Sequence, residues 1–169
     1  MIFTNLTSQL ERNAKAILTL SQNISNEQAR WKPDAQGWSV LEVICHLADE
    51  EVEDFRTHVD HLLYHTNDPW PEINPQAWVI ERRYYEQDLN TVFSRFMTER
   101  QISLSWLNGL RNMDWERGIE APFGKISAGD VLCSWAAHDI LHLRQLVELH
   151  YAFSTKQALP YQVRYAGQW

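Results

Sequence analysis

The chain predicts an all-α fold, a four-helix bundle, and three observations carry the prediction. Four stretches repeat apolar residues at the spacing of one helix face. Two of them open on a capping box, Ser39-x-x-Glu42 and Ser127-x-x-Asp130, in which a hydroxyl and a carboxylate each satisfy a free backbone N–H. No stretch alternates polar and apolar residues for long enough to read as a convincing strand.

The first helix runs from Phe3 to about Ser21, with Leu6, Leu10, Ala14, Ile17 and Leu18 on one face. The pattern breaks between Gln22 and Gly37, where Pro33 disfavours helix at Lys32. Ser25, Glu27 and Gln28 suit one short turn there. The second helix begins at Ser39 and runs to about Tyr64, with Leu41, Ile44, Leu47, Ala48, Val52 and Phe55 as its core residues. Asn67 to Pro75 form a long loop containing Pro69 and Pro71. Its Trp70, and Trp78 beyond it, make it a cover as well as a spacer. A third helix spans about Tyr85 to Leu110, with Leu89, Val92, Phe93, Phe96, Met97, Leu104, Leu107 and Leu110 as its stripe and Gly109 near its end. Asn112 to Lys125 read as irregular, with a short extended pair near Pro122, Phe123 and Gly124. The fourth helix starts at Ser127 and carries Val131, Trp135, His138, His142, Leu146 and Leu149 on its inward stripe. A tail from about Phe153, broken at Pro160, is expected to pack back through Tyr161, Val163, Tyr165 and Trp169. The connections on either side of the third helix are long enough for a crossover.

At 169 residues the chain is expected to form one domain, 1–169, with a sizeable core. Hydrophobic residues at 44% and charged residues at 22% are ordinary for a globular chain, and eight tryptophans supply large buried surfaces. A net charge of -7 argues against phosphate-backbone binding, so no nucleic-acid partner is expected. No apolar run approaches the ~20 residues of a membrane span, and no signal peptide is read at the start. Cys45 and Cys133 both lie in helical patterns and read as reduced, buried thiols of a cytoplasmic protein.

His138 and His142 stand at i and i+4 in an apolar stripe, so both rings leave one helix face a turn apart. His46 offers a third imidazole from another helix. Neutral imidazole is a common ligand for zinc, nickel, copper and iron, and bundle interiors build metal sites from facing helices. Three ligands would leave a position open for water or substrate. The competing reading makes these histidines hydrogen-bonded core residues. Glu50, one turn after His46, fits a fourth ligand, a proton acceptor or a partner for an imidazole N–H. His58, His61 and His65 also share a face, but they spread over ~10 Å of one helix axis and read as a solvated or loop-facing stripe. Asp139 reads as an exposed or interhelical group, and His150 as a cation near a helix C-terminus.

The stretch Gly37-Trp38-Ser39-Val40-Leu41-Glu42-Val43-Ile44-Cys45-His46-Leu47-Ala48-Asp49-Glu50, taken with His138-Asp139-Ile140-Leu141-His142-Leu143-Arg144-Gln145-Leu146, resembles the DinB-like superfamily of DinB and YfiT-type proteins. Trp115-Glu116-Arg117-Gly118, Pro122-Phe123-Gly124 and the closing Arg164-Tyr165-Ala166-Gly167-Gln168-Trp169 fit the same pattern. The resemblance implies an up-up-down-down bundle with long crossover loops. It implies a divalent metal, zinc or nickel, on His46, His138 and His142, and a homodimer. Relatives include transferases and isomerases that use low-molecular-weight thiols such as bacillithiol or mycothiol. Two functions are therefore expected to compete: a metal-dependent thiol transferase or hydrolase, with Glu50 as its proton acceptor, and a non-enzymatic metal or ligand binder of a stress response. A shared fold does not choose between them.

Overall fold

A computed structural model describes residues 2–121 and 124–167, with side chains described from residue 5 onward. The expected features at Pro122, Phe123 and Trp169 lie outside these residues. Helix α1 spans Ile2–Ser21, and the short turn expected near Ser25 is α2, Asn26–Arg30, capped by the Ser25 side chain. Helix α3, Val40–Glu50, starts from the Ser39 capping box: Ser39 N–H donates to Glu42 Oε2 at 2.8 Å. A π-helical segment, Glu51–Arg56, joins it to α4, Thr57–Tyr64, so the second long helix is one run with a widened turn inside it. Such turns are rare and concentrate at functional sites.

The loop that follows holds a helix that the sequence reading did not expect. Helix α5, Pro75–Glu81, is capped by Asn74, carries Pro75 at its first turn and buries Trp78. Asn-Pro followed by an apolar residue is the signal that was present. A 3-10 turn, Tyr84–Glu86, precedes α6, Leu89–Gly109, which Asp88 caps. The third helix therefore begins four residues later than Tyr85. The extended pair is a hairpin, β1 (Gly118–Ala121) and β2 (Gly124–Ser127), antiparallel with Gly118 opposite Ser127. A side chain at Gly118 would meet the Ile126 carbonyl oxygen at 2.1 Å, so only glycine fits that crossing. Helix α7 runs Ala128–Gln157, past the expected end near Phe153, because Phe153 itself is buried.

Two core clusters fix the helix directions. One joins Ala14 and Ile17 of α1 to Ile44 of α3, Val92 of α6 and Leu149 of α7. The other joins Leu10 of α1 to Leu62 of α4, Leu107 of α6 and Val131 of α7. Helices α1 and α7 therefore run one way, and α3–α4 and α6 run the other. The order is up-down-down-up, not the expected up-up-down-down. Only the connection from α4 to α6 crosses the length of the bundle. The loop from α6 to α7 was long enough to cross, but its residues are spent on the hairpin. Ala128 N–H donates to Arg117 O at 3.0 Å and Gly129 N–H to Trp115 O at 2.9 Å, which returns the chain at the same end.

Two further expectations fail at the surface. Tyr161 and Tyr165 stand exposed, so the tail does not pack back through them. Cys133 is exposed while Cys45 is buried, because Cys133 falls on the outer face of α7, two residues from the inward Trp135. No helix among the described residues is long and apolar enough to cross a membrane.

Candidate metal centre

Antiparallel packing of α3 against α7 brings His46 to the pair on α7. One ligand atom from each of His46, His138 and His142 lies within 4.8 Å of the other two. His46 Nε2 is 3.4 Å from His138 Nε2, which is 3.0 Å from His142 Nε2. Two nitrogens bound to one tetrahedral ion at ~2.0–2.1 Å stand roughly 3.3 Å apart. The separations of 3.4 Å for His46–His138 and 3.0 Å for His138–His142 bracket that spacing.

The proton balance points the same way. His142 Nδ1–H donates to Gln145 Oε1 at 2.8 Å, which leaves Nε2 of a neutral ring as a bare lone pair aimed at the focus. His46 Nδ1 is buried without a partner. Burial is the chief reason His46 is pushed down to about 2 and His142 to about 4, with the neighbouring imidazoles adding to it. Both rings are therefore neutral and carry a free lone pair at neutral pH, the form that binds metals. Each neutral ring offers one lone pair, and imidazoles brought together from two facing helices suit a shared cation.

Aromatic rings wall the site. Trp38 lies 4.7 Å from the His46 ring and stacks at 3° on the His142 ring, 6.3 Å away. Phe55, from the π-helical segment, lies 5.0 Å from the His138 ring. Glu50 faces the same focus, as the one-turn spacing from His46 predicts. Its Oε2 is 3.0 Å from His138 Nε2 and its Oε1 is 3.5 Å from His46 Nε2. Burial pushes its carboxyl up, against the pull of His138.

A buried polar core underlies the site, and sequence reading missed it. Arg100 of α6 is 2% exposed. It donates to both oxygens of Glu51 at 2.8 Å, to both of Asp139 at 2.7 and 2.9 Å, and to the Leu10 carbonyl at 2.9 Å. Trp135 Nε1–H donates to Glu51 Oε2 at 3.1 Å. Asp139 is thus the interhelical group of its two readings, and it locks the turn of α7 that carries His138. Asp49 makes a second node: it accepts from Tyr84 Oη–H at 2.6 Å, pairs with Arg82 at 2.9 Å, and meets Arg95.

The rival histidines do not converge. His58 and His61 are buried against Trp70 of the loop and His65 is exposed, so of the two readings the loop-facing one describes the first two histidines and the solvated one only His65. His58 is consumed by Asp54 Oδ1 at 2.7 Å and the Pro71 carbonyl at 2.8 Å, and it stacks on Trp70 at 4.2 Å. His150 is not a helix-end cation, because α7 continues to Gln157. Its Nδ1 meets Gln28 Nε2 at 3.0 Å, and its Nε2–H donates to the Leu20 carbonyl.

Comparison with known proteins identifies the family and the fold. Residues 9–146 match the DinB superfamily. A solved structure with a TM-score of 0.79 and 17% sequence identity covers 90% of this chain and 87% of its own. It is YfiT from Bacillus subtilis, described as a probable metal-dependent hydrolase with an unusual four-helix bundle topology. No curated protein matches the chain. The chain belongs to the DinB superfamily.

Proposed function

We propose that this protein is a divalent-metal-dependent enzyme whose ion is held by His46, His138 and His142. The observation that carries the reading is the convergence of three imidazole Nε2 atoms, at 3.0 and 3.4 Å, from two facing helices. Zinc and nickel are the ions proposed, since both take imidazole nitrogens. An ion bound there supplies Lewis acidity, lowering the pKa of a protic nucleophile.

The protein's own residues do the rest. Gln145 fixes the His142 ring with Nε2 inward. Trp38 and Phe55 restrict water at the rings' outer faces. Glu50 presents a carboxylate at the focus and accepts the proton that the nucleophile loses. Water as nucleophile makes the enzyme a hydrolase, the activity ascribed to YfiT. A low-molecular-weight thiol makes it a transferase.

The test is to assay metal-loaded protein on ester, amide and thiol-conjugation substrates, with His142→Ala as control. Turnover that vanishes in the variant supports the proposal, and turnover that persists refutes it. A second reading is a metal binder without turnover in a stress response. It is favoured by the donor count: with Glu50 included, four protein groups face the focus, enough to close a tetrahedral ion. Full metal loading with no turnover on that panel would favour it.

We further propose a homodimer, on the strength of Ile140, Leu141 and Val147, apolar residues exposed along α7. Sedimentation of the wild type and Leu141→Arg tests it: a dimer that the substitution splits is expected, and a wild-type monomer contradicts the proposal.

A further inference from the structure

Asp49, Glu50 and Glu51 are three consecutive carboxylates, and all three are at least nine-tenths buried. A buried carboxylate needs a counter-charge. Asp49 has two, Arg82 at 2.9 Å and Arg95. Glu51 has the Arg100 guanidinium in a two-point contact at 2.8 Å. Glu50 pairs with no lysine or arginine among the described residues. Its contacts are the Nε2 atoms of His138 and His46, and its nearest charged neighbours include Asp49 and Asp54, which repel it. Both of its oxygens address the same Nε2 atoms that converge at the focus. The segment thus carries three acids, two with cations built into the protein and one aimed at the metal centre.

We infer that Glu50 is a ligand of the metal ion, completing a three-histidine, one-carboxylate set in which the ion is the missing counter-charge. The inference rests on the metal reading above and adds a consequence to it. One Glu50 oxygen bound to the ion leaves the other free to accept a proton. A fourth protein ligand fills the positions of a tetrahedral zinc site. An active centre with this set therefore takes an ion with five or six positions, which favours nickel over zinc.

The test has two arms on the full chain, purified without a histidine tag. The first is a crystal structure of nickel-loaded protein with anomalous scattering at the nickel edge. Expected is an anomalous peak among the three histidines, with a Glu50 oxygen at the ~2.0–2.2 Å of a carboxylate ligand. The second is chelator competition for nickel with the wild type, Glu50→Gln and His142→Ala. Glu50→Gln is expected to weaken binding more than tenfold while leaving the far-ultraviolet helical signal intact. A peak at the histidines with Glu50 beyond about 3 Å overturns this inference and spares the metal reading. Unchanged affinity in Glu50→Gln together with lost affinity in His142→Ala does the same. No peak, and no binding by the wild type, overturns both.

Discussion

Replacing Arg100 by methionine should be among the most destabilising single changes this bundle can take. The side chain is 2% exposed and joins four parts of the fold: the Leu10 carbonyl of α1, Glu51 of the π-helical segment, α6 itself and Asp139 of α7. Methionine fits the stem but leaves two buried carboxylates facing each other without a cation. Removing one partner of a buried ion pair costs about 3–5 kcal/mol, against a total stability of ~5–15 kcal/mol for a typical domain. A loss of about 4 kcal/mol moves a urea midpoint by roughly 2 M for a denaturant slope near 2 kcal/mol/M. Burial holds the Glu51 carboxyl above its ordinary value, and in the wild type Arg100 offsets part of that rise. Without Arg100 the folded protein binds protons more readily than the unfolded chain. Its deficit should therefore shrink as pH falls from about 8 to about 5. Adding Glu51→Gln and Asp139→Asn should recover most of the loss, because the stranded charges are gone. A loss below about 1 kcal/mol in Arg100→Met, or no recovery in the triple variant, would refute the reasoning.

Three further outcomes are expected. Ser39→Ala breaks a capping box whose hydroxyl donates to Glu42 Oε2 at 2.8 Å, and should cost about 1 kcal/mol in urea unfolding; no measurable cost would contradict the capping argument. Both ring nitrogens of His58 meet acceptors, the Asp54 carboxylate and the Pro71 carbonyl, so the ring carries two protons. Burial opposes that charge, but Asp54 and Pro71 outweigh it and the pKa is raised. The stability it contributes is present below its ordinary ~6.5 and is lost as pH rises through the folded value. The gap between wild type and His58→Gln should accordingly be wider at about pH 6 than at about pH 9, and an equal gap would show that the ring is not charged. Chelation of the proposed ion should lower the melting temperature of the wild type and leave that of His142→Ala unchanged, as calorimetry can check.

The bundle was legible because periodicity and capping are local. Ser39 with Glu42 and Ser127 with Asp130 start helices where their spacing says they should. Helix direction is not local. The connection between α6 and α7 is long enough to cross the bundle, and only the pairing of Gly118 with Ser127 shows that it turns back. The three histidines were legible because the i, i+4 pair lies in an apolar stripe and His46 follows a strong helix start. Arg100 was not. Its spacing from Phe96 and Leu104 puts it in the inward stripe, but a lone arginine there names no partner, and its partners are 39, 49 and 90 positions away. The π-helical turn was equally hidden, since nothing in Glu51–Arg56 marks a widened turn by composition. Gln145 was legible in principle, three residues after His142 on the same face.

The central claim is that His46, His138 and His142 hold a metal ion. It is tested most directly by elemental analysis of tag-free protein beside the His46→Ala and His142→Ala variants. The account predicts about one equivalent of a divalent transition metal per wild-type chain, and loss of that metal in both variants while their helical content stays intact. A wild type that binds none when offered zinc or nickel, or variants that keep a full equivalent, would contradict it.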